Sequence, residues 1–156
     1  MNSKHLFSAA LEWPISINTE QENNARKTKN HFVSIERKDQ MEISAAKAFK
    51  GDPSKWNPED MLLSSLMSCH MMSYLYCCQQ ENIRVISYSD TAEAVLQVNE
   101  DGSGLITLVT LKPKVVIEAN SNQSLAHELH FKAHDLCFIA NSCKFPIQFE
   151  ISIALD

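Results

Sequence analysis

The sequence predicts an α+β fold in which short strands precede, separate and follow two helices. Strand-type alternation of apolar residues occurs near both ends of the chain. A strong helix start stands at Asn57-Pro58-Glu59-Asp60. A turn at Asp101-Gly102-Ser103-Gly104 separates two further strand patterns. The predicted order is βββ-α-ββ-α-β, in a single domain that spans residues 1–156.

The composition limits the classes of function. The chain has 156 residues, of which 44% are hydrophobic and 21% are charged, as in ordinary globular domains. The 19 acidic residues outnumber the 14 basic ones, and the net charge is −5. Nucleic acids and anionic membranes bind clustered positive charge, so neither is an expected partner. The N-terminus carries no signal-peptide core, and we expect a cytoplasmic protein.

The first part of the chain predicts three strands. Phe7–Trp13 alternates imperfectly, and His31–Arg37 alternates again, with Val33 and Ile35 on one side. Met41–Ala45 is a candidate for a short third strand. The polar stretch Thr19–Lys29 between them predicts a loop.

The first helix should run from Asn57 to about Gln80 or Glu81. Its stretch Met61–Cys78 is long enough to be considered as a membrane span, but serines and His70 interrupt it, which favours a buried helix. The apolar residues point all round the helix, so it must be covered on nearly every side. Because a sheet covers only one side, we predict that a second subunit covers another, in a homodimer.

The second part of the chain predicts the remaining elements. Ala92–Val98 alternates, and a long strand runs from Leu105 towards Ile117, with a break or bulge at Pro113. A second helix is predicted over Ser121–Leu136. A final strand, Ile147–Ile153, alternates cleanly between apolar and polar residues.

The five cysteines are an odd number without a secretory signal, which argues against structural disulfides. Cys69 lies too far inside the first helix for the helix dipole to activate it, so a reactive thiolate there needs a nearby cation. His70 does not face Cys69 on a helix. The alternative for Cys69 is a small buried apolar residue. Cys77 and Cys78 are interpreted as packing residues.

Cys137 and Cys143 are candidates for a resolving thiol or for a metal ligand. His127, His130 and His134 line one side of the second predicted helix, ahead of Cys137, which makes metal binding an alternative. A solvated histidine face explains the same pattern. Glycine-rich nucleotide loops are absent from the sequence, and we expect no cofactor.

The segment Phe49–Met72 resembles the OsmC/Ohr superfamily of osmotically inducible and organic-hydroperoxide-resistance proteins. The resemblance depends on Asn57-Pro58-Glu59 followed by Cys69, and on Ala133-His134-Asp135-Leu136-Cys137. The hairpin around Gly102 to Lys114 is also similar to the strand pair between the two helices of that family. The resemblance covers most of the chain from about His31.

The resemblance implies an intertwined α+β homodimer, with antiparallel sheets around two buried helices and sites at the subunit interface. It implies a thiol-dependent peroxidase that reduces organic hydroperoxides, with Cys69 as peroxidatic and Cys137 as resolving cysteine. It also implies that Glu59 orients an arginine beside the thiolate, and that a dithiol such as a dihydrolipoyl group is the reductant. The candidates for an apolar substrate pocket are Met61, Met67, Met71, Met72 and Phe138.

The sequence departs from the family pattern at the arginine, because Lys29 stands where that residue is expected. Lysine supplies charge but not a planar two-pronged contact. Arg26 or Arg37 takes the role if the loop register differs, and Cys143 competes with Cys137 as resolving thiol. The departure motivates an alternative function, a non-catalytic redox sensor or a dimer that binds apolar small molecules.

Overall fold

The computed structural model describes residues 3–13 and 29–156. By its internal contacts the chain divides into two compact units, Met1–Leu62 and Leu63–Asp156, and we describe each by itself. The predicted α+β class is confirmed. The single domain over residues 1–156 stays a prediction. In the part of the chain that the structure describes, no helix is both long enough and apolar enough to cross a membrane.

The first unit contains a three-stranded antiparallel sheet of β1 (Ala10–Glu12), β2 (His31–Ser34) and β3 (Met41–Ile43), in that order. All three strands are shorter than predicted. At the N-terminal end, Leu6 and Phe7 are 93% and 91% exposed, so these two side chains are not covered by the residues that the structure describes. Of the predicted loop Thr19–Lys29, only Lys29 lies within the described residues.

A close backbone contact fixes the chain after β3. Ile43 and Ser44 are buried, and the Ser44 amide donates to the Trp56 carbonyl at 2.8 Å. A short 3-10 turn, Lys47–Phe49, then brings Gly51 back against Ala45. A Cβ atom at Gly51 would lie 1.6 Å from the Ala45 carbonyl oxygen, so only glycine fits there.

The long helix α1 (Pro58–Gln80) begins as the sequence predicts. The side-chain oxygen of Asn57 accepts a hydrogen bond from the Asp60 amide at 2.9 Å. Pro58 stands at the first helical position, where its missing N–H costs nothing. Glu59 and Asp60 place negative charge in the first turn, where the helix dipole favours it.

The second unit contains the remaining strands and helices. A three-stranded sheet combines β4 (Val85–Ser89), β7 (Lys114–Ile117) and β9 (Ser152–Leu155), and another combines β5 (Ala92–Val98), β6 (Gly104–Leu111) and β8 (Ile147–Phe149). Two helices, α2 (Gln123–Leu136) and α3 (Phe138–Ser142), complete it. Neither β4 nor α3 is among the elements predicted from the sequence.

Pro113 separates two strands that the sequence analysis treated as one interrupted strand. It is buried between β6 and β7, and proline cannot donate a ladder hydrogen bond. The predicted final strand is also two strands. The Glu150 amide donates to Leu111 and the Ser152 amide to Pro113, both at 2.9 Å, so β8 pairs in parallel with β6 and β9 with β7. The sheets of this unit are therefore mixed, whereas the sequence analysis expects antiparallel sheets only.

Two buried clusters form the core of the second unit. The first joins α1 and α2 to the β4-β7-β9 sheet, and it contains Tyr74, Cys77, Cys78, Ile117 and Leu129. The second lies around Leu66 on α1 and contains Val109, Leu111, Cys137 and Ala140, with Cys69 packed against it. The two clusters thus separate Cys77 and Cys78 from Cys69 and Cys137.

We predict that Gly51→Ala destabilises the protein by about 3 kcal/mol, at the upper end of what overpacking costs, because the added methyl group meets backbone atoms. Urea denaturation measures this change. Gly102→Asn is the matched control: its φ is +83° with nothing within 4 Å of an added Cβ, and asparagine tolerates this conformation. An equal loss in both variants would contradict the packing argument.

Candidate thiol site

Cys69 lies within α1 and is half-buried. It packs against the cluster that contains Leu66 and Cys137. Its position is several turns from the helix N-terminus, as the sequence analysis assumed, so the helix dipole contributes little there.

Cys137 ends α2 and begins α3. Its amide donates to the His134 carbonyl, and its sulfur accepts a hydrogen bond from the Ala140 amide at 3.4 Å. Burial raises the pKa of the Cys137 thiol to about 11; the Ala140 amide partly opposes this, and a hydrogen bond to the Cys69 thiol raises the pKa further. The structure therefore brings Cys69 and Cys137 within hydrogen-bonding reach of each other.

An apolar cavity of about 410 Å³ opens beside this thiol pair. Of the predicted lining residues, Met72 and Phe138 are in it, whereas Met67 and Met71 line a second cavity of about 340 Å³ with Tyr88 and Asp90. The first cavity is lined by Cys69, Met72, Ser73, Tyr76, Leu136 and Phe138.

The other three cysteines are free thiols. Cys77 and Cys78 are buried, as their interpretation as packing residues expects, and burial raises the pKa of both. Cys143 is half-buried, and burial raises its pKa as well. It follows α3, whereas Cys137 precedes it.

Glu59 and the candidate cations lie in the first unit. One carboxylate oxygen of Glu59, Oε2, is buried without a hydrogen-bond partner among residues 3–13 and 29–156. The Lys29 ammonium donates to the Phe49 carbonyl at 2.8 Å. Arg37 is exposed and lies 3.4 Å from the neighbouring Glu36 carboxylate. Arg26 lies outside the described residues.

The three histidines of α2 do not form one solvated face. His127 is exposed and His134 half-buried, but His130 is fully buried. Nor do the described residues contain a group of three or more His, Cys, Asp or Glu side chains that could hold a metal ion. His130 instead meets His70, with 3.0 Å between His70 Nε2 and His130 Nδ1.

This imidazole pair is not among the site features predicted from the sequence. A signal for it existed, because His130 shares its helix face with the buried Ala126 and Ala133.

Comparison with known proteins identifies the family. Residues 51–152 match the family described as OsmC-like protein. The chain belongs to this family. The matched range includes Glu59 and both thiols of the site, so the resemblance noted from their motifs is confirmed.

Individual proteins that are similar to this OsmC-like protein in fold or in sequence agree with this family assignment. An OsmC-like protein of unknown function from Vibrio cholerae superposes with a TM-score of 0.82 and 27% identity, over 95% of this chain and 99% of that one. An organic hydroperoxide resistance protein from Elizabethkingia anophelis gives 0.71 at 16% identity, over 100% of both chains. The uncharacterized protein YmaD of Bacillus subtilis is 25% identical over 120 residues, which cover 72% of this chain and 78% of YmaD.

Proposed function

We propose that this OsmC-like protein is a thiol-dependent peroxidase that reduces organic hydroperoxides through a Cys69/Cys137 cycle. The observation that carries the proposal is the contact between the two thiols beside an apolar cavity. Organic hydroperoxide resistance proteins among the structural relatives support it at the level of the fold.

The proposed cycle balances in three steps. The Cys69 thiolate attacks the terminal peroxide oxygen, the O–O bond breaks, and the leaving alkoxide takes a proton to become an alcohol. Cys69 is left as a sulfenic acid. The Cys137 sulfur then attacks the Cys69 sulfur, which forms the disulfide and releases water. An external dithiol, a lipoyl-type group in our proposal, reduces the disulfide by thiol exchange and becomes oxidised itself.

The cavity supports alkyl or lipid hydroperoxides as the substrate class. Its walls are mostly apolar side chains, with Met72, Leu136 and Phe138 among them. Burial of an alkyl chain there contributes about 0.8 kcal/mol for each CH₂ group removed from water. Hydrogen peroxide has no such group, so the site favours the organic substrate.

We propose that Lys29 supplies the positive charge that Glu59 orients beside the thiolate. The Oε2 atom of Glu59, buried without a hydrogen-bond partner in the part of the chain that the structure describes, supports the need for a cation, because a buried oxygen of a charged group is costly unless it is paired. Lys29 keeps two donor hydrogens besides the one on the Phe49 carbonyl. Arg26 and Arg37 are the alternatives.

We also propose a homodimer in the cytoplasm. Three side chains on α1 support it, because Met72, Leu75 and Tyr76 are 58%, 36% and 54% exposed. Such a row of large apolar side chains on one helix is typical of a protein–protein interface. Phe138, at 82% exposure, adds to the same apolar surface beside the cavity.

A non-catalytic role is the second candidate. The observation that favours it is the same apolar cavity, which accepts a small apolar molecule without chemistry. In that case the protein would be a redox sensor or a small-molecule-binding dimer, and it would bind such ligands without hydroperoxide turnover.

The first prediction from this proposed function concerns the two thiols. Cys69→Ser should reduce hydroperoxide consumption to background, because the nucleophile is lost. Cys137→Ser should permit one turnover and then accumulate a sulfenic acid on Cys69, which dimedone labelling and peptide mass spectrometry detect.

Cys143→Ser is the matched control for this experiment. It should retain turnover within about twofold, the range of a substitution outside the reacting groups. Unchanged hydroperoxide consumption in Cys69→Ser would eliminate the peroxidase proposal. If Cys143→Ser, and not Cys137→Ser, stopped after one turnover with a sulfenic acid on Cys69, Cys143 would be the resolving thiol.

A second prediction tests the cation. Lys29→Met should lower kcat/KM for tert-butyl hydroperoxide about tenfold, which corresponds to the loss of one charge-assisted hydrogen bond of about 1.5 kcal/mol. Lys29→Arg should retain the activity. Arg37→Met is the control, and a tenfold loss there or in Arg26→Met, with Lys29→Met active, would assign the role to that arginine.

A third prediction tests assembly. Sedimentation equilibrium should give twice the chain mass of 17.6 kDa. Met72→Asp should shift the protein to the monomer, because a charge would be buried in an apolar interface. Lys38→Asp, at an exposed turn, should leave the mass unchanged. A wild-type monomer at micromolar concentration would refute the proposal.

A further inference from the structure

A hydrogen bond between two buried imidazoles joins α1 to α2. His70 is 1% exposed and His130 is fully buried. The distance from His70 Nε2 to His130 Nδ1 is 3.0 Å, the ring centroids are 5.3 Å apart and the ring planes are tilted by 16°. The bond therefore lies near the plane of both rings, and one ring must donate while the other accepts.

Other rings hold the pair in place. Tyr74 stacks on His130 at a centroid distance of 3.8 Å, and Phe149 of β8 lies 4.8 Å from His70. The remaining nitrogens, His70 Nδ1 and His130 Nε2, are buried without hydrogen-bond partners in the described part of the chain. Among the described residues, the only hydrogen-bond partner of each ring is thus the other ring.

The titratable groups around the pair do not offset a positive charge. They are Tyr74 and Cys78 on α1, His127 and His134 on α2, and Tyr88 on β4. Asp90, the carboxyl group nearest to this cluster in the contacts described, accepts from the Lys112 amide at 2.9 Å and from Tyr88 at 3.4 Å. Burial raises the pKa of Asp90.

We propose that His70 and His130 are positioning residues for the thiol couple: their hydrogen bond holds α1 against α2 in the register that keeps Cys69 and Cys137 in contact, and acid releases it. His70 follows Cys69 directly, and Cys137 lies two helical turns beyond His130. A shift of one helix along the other therefore separates the sulfurs when it breaks the imidazole bond.

The hydrogen bond should break in acid because the closed form, in which the two rings are bonded and buried, excludes protons. In the open form the two rings are separated and exposed to water. Burial, and next the charge of His134, lowers the pKa of His70 to about 4; burial, and next His70 and His127, lowers the pKa of His130 to about 3. An exposed imidazole has a pKa of about 6.5. The open form therefore binds protons first, so the contribution of the pair to stability is complete above about pH 6.5 and is lost as the pH falls towards 4 and 3.

The proposal rests on the thiol couple of the proposed function but not on peroxide as the oxidant. The test is the equilibrium of the Cys69–Cys137 disulfide with glutathione, which gives the effective concentration of the two thiols. At pH 7.5, His70→Leu should lower this concentration about fivefold, the equivalent of one net hydrogen bond of about 1 kcal/mol. The double variant His70→Leu/His130→Leu should stay lowered, because an apolar contact does not replace the directional bond; full recovery would assign the loss to the unpaired ring and overturn the proposal.

The pH profile separates positioning from packing. Between pH 7.5 and 5.5 the opening of two sites with pKa about 6.5 becomes about a hundredfold more favourable, so the wild-type effective concentration should fall more than tenfold. His70→Gln/His130→Asn keeps amide hydrogen-bonding groups at both positions without titration, and should show no such fall. His127→Gln, at an exposed histidine of α2, should behave as wild type. The two thiols titrate in the same way in all these variants, so their titration cancels when the effective concentrations of the variants are compared at one pH.

A second measurement covers variants that fail to fold. In wild-type protein, ¹⁵N NMR of the imidazoles should show both rings neutral at pH 7.5, with complementary protonation of the two bonded nitrogens, and both rings should take up protons together over the pH range in which the effective concentration falls. Rings that titrate independently of the effective concentration, or an effective concentration that is unchanged in His70→Leu or flat to pH 5.5, would overturn the proposal. If the protein forms the disulfide with glutathione but consumes no hydroperoxide, the peroxidase proposal fails and this one stands.

Discussion

The packing of α1 against α2 is the constraint on which the thiol site depends. The two reactive candidates lie far apart in the sequence, one inside a long helix and the other at the end of a shorter one. Their contact exists only while the two helices keep one relative position. Most of that interface is apolar contact, which is non-directional, whereas the imidazole bond between His70 and His130 has a defined length and direction.

The environment of Cys137 combines two opposing effects. Burial among apolar side chains excludes water from the sulfur and keeps it protonated, with a pKa of about 11. The Ala140 amide points at the same sulfur and favours the thiolate. A protonated second thiol cannot compete with Cys69 for an incoming oxidant, yet it lies close enough to attack once Cys69 is oxidised. Burial thus separates the roles of two chemically identical side chains.

The sequence predicts the start of α1 well because Asn57 and Pro58 act locally, through a cap and a fixed φ. It does not predict β4, since Val85–Ser89 lacks regular alternation and acquires its strand conformation by pairing with β7. The helix α3 escapes prediction because Cys137 both ends one helix and caps the next. Pattern alone also cannot show that the final alternating segment divides between two sheets, with the division between Phe149 and Ser152 lying opposite Pro113.

The same distinction applies to the candidate site. Motif resemblance selected Cys69 and Cys137, but their contact is a long-range property that no local pattern contains. His130 was grouped with His127 as a polar residue, although its spacing from Ala126 and Ala133 places it on the apolar face. A histidine on an apolar helix face needs a buried partner, and His70 on α1 provides one. The rule that buried polar groups are paired therefore identifies a connection between the helices that hydrophobic periodicity cannot detect.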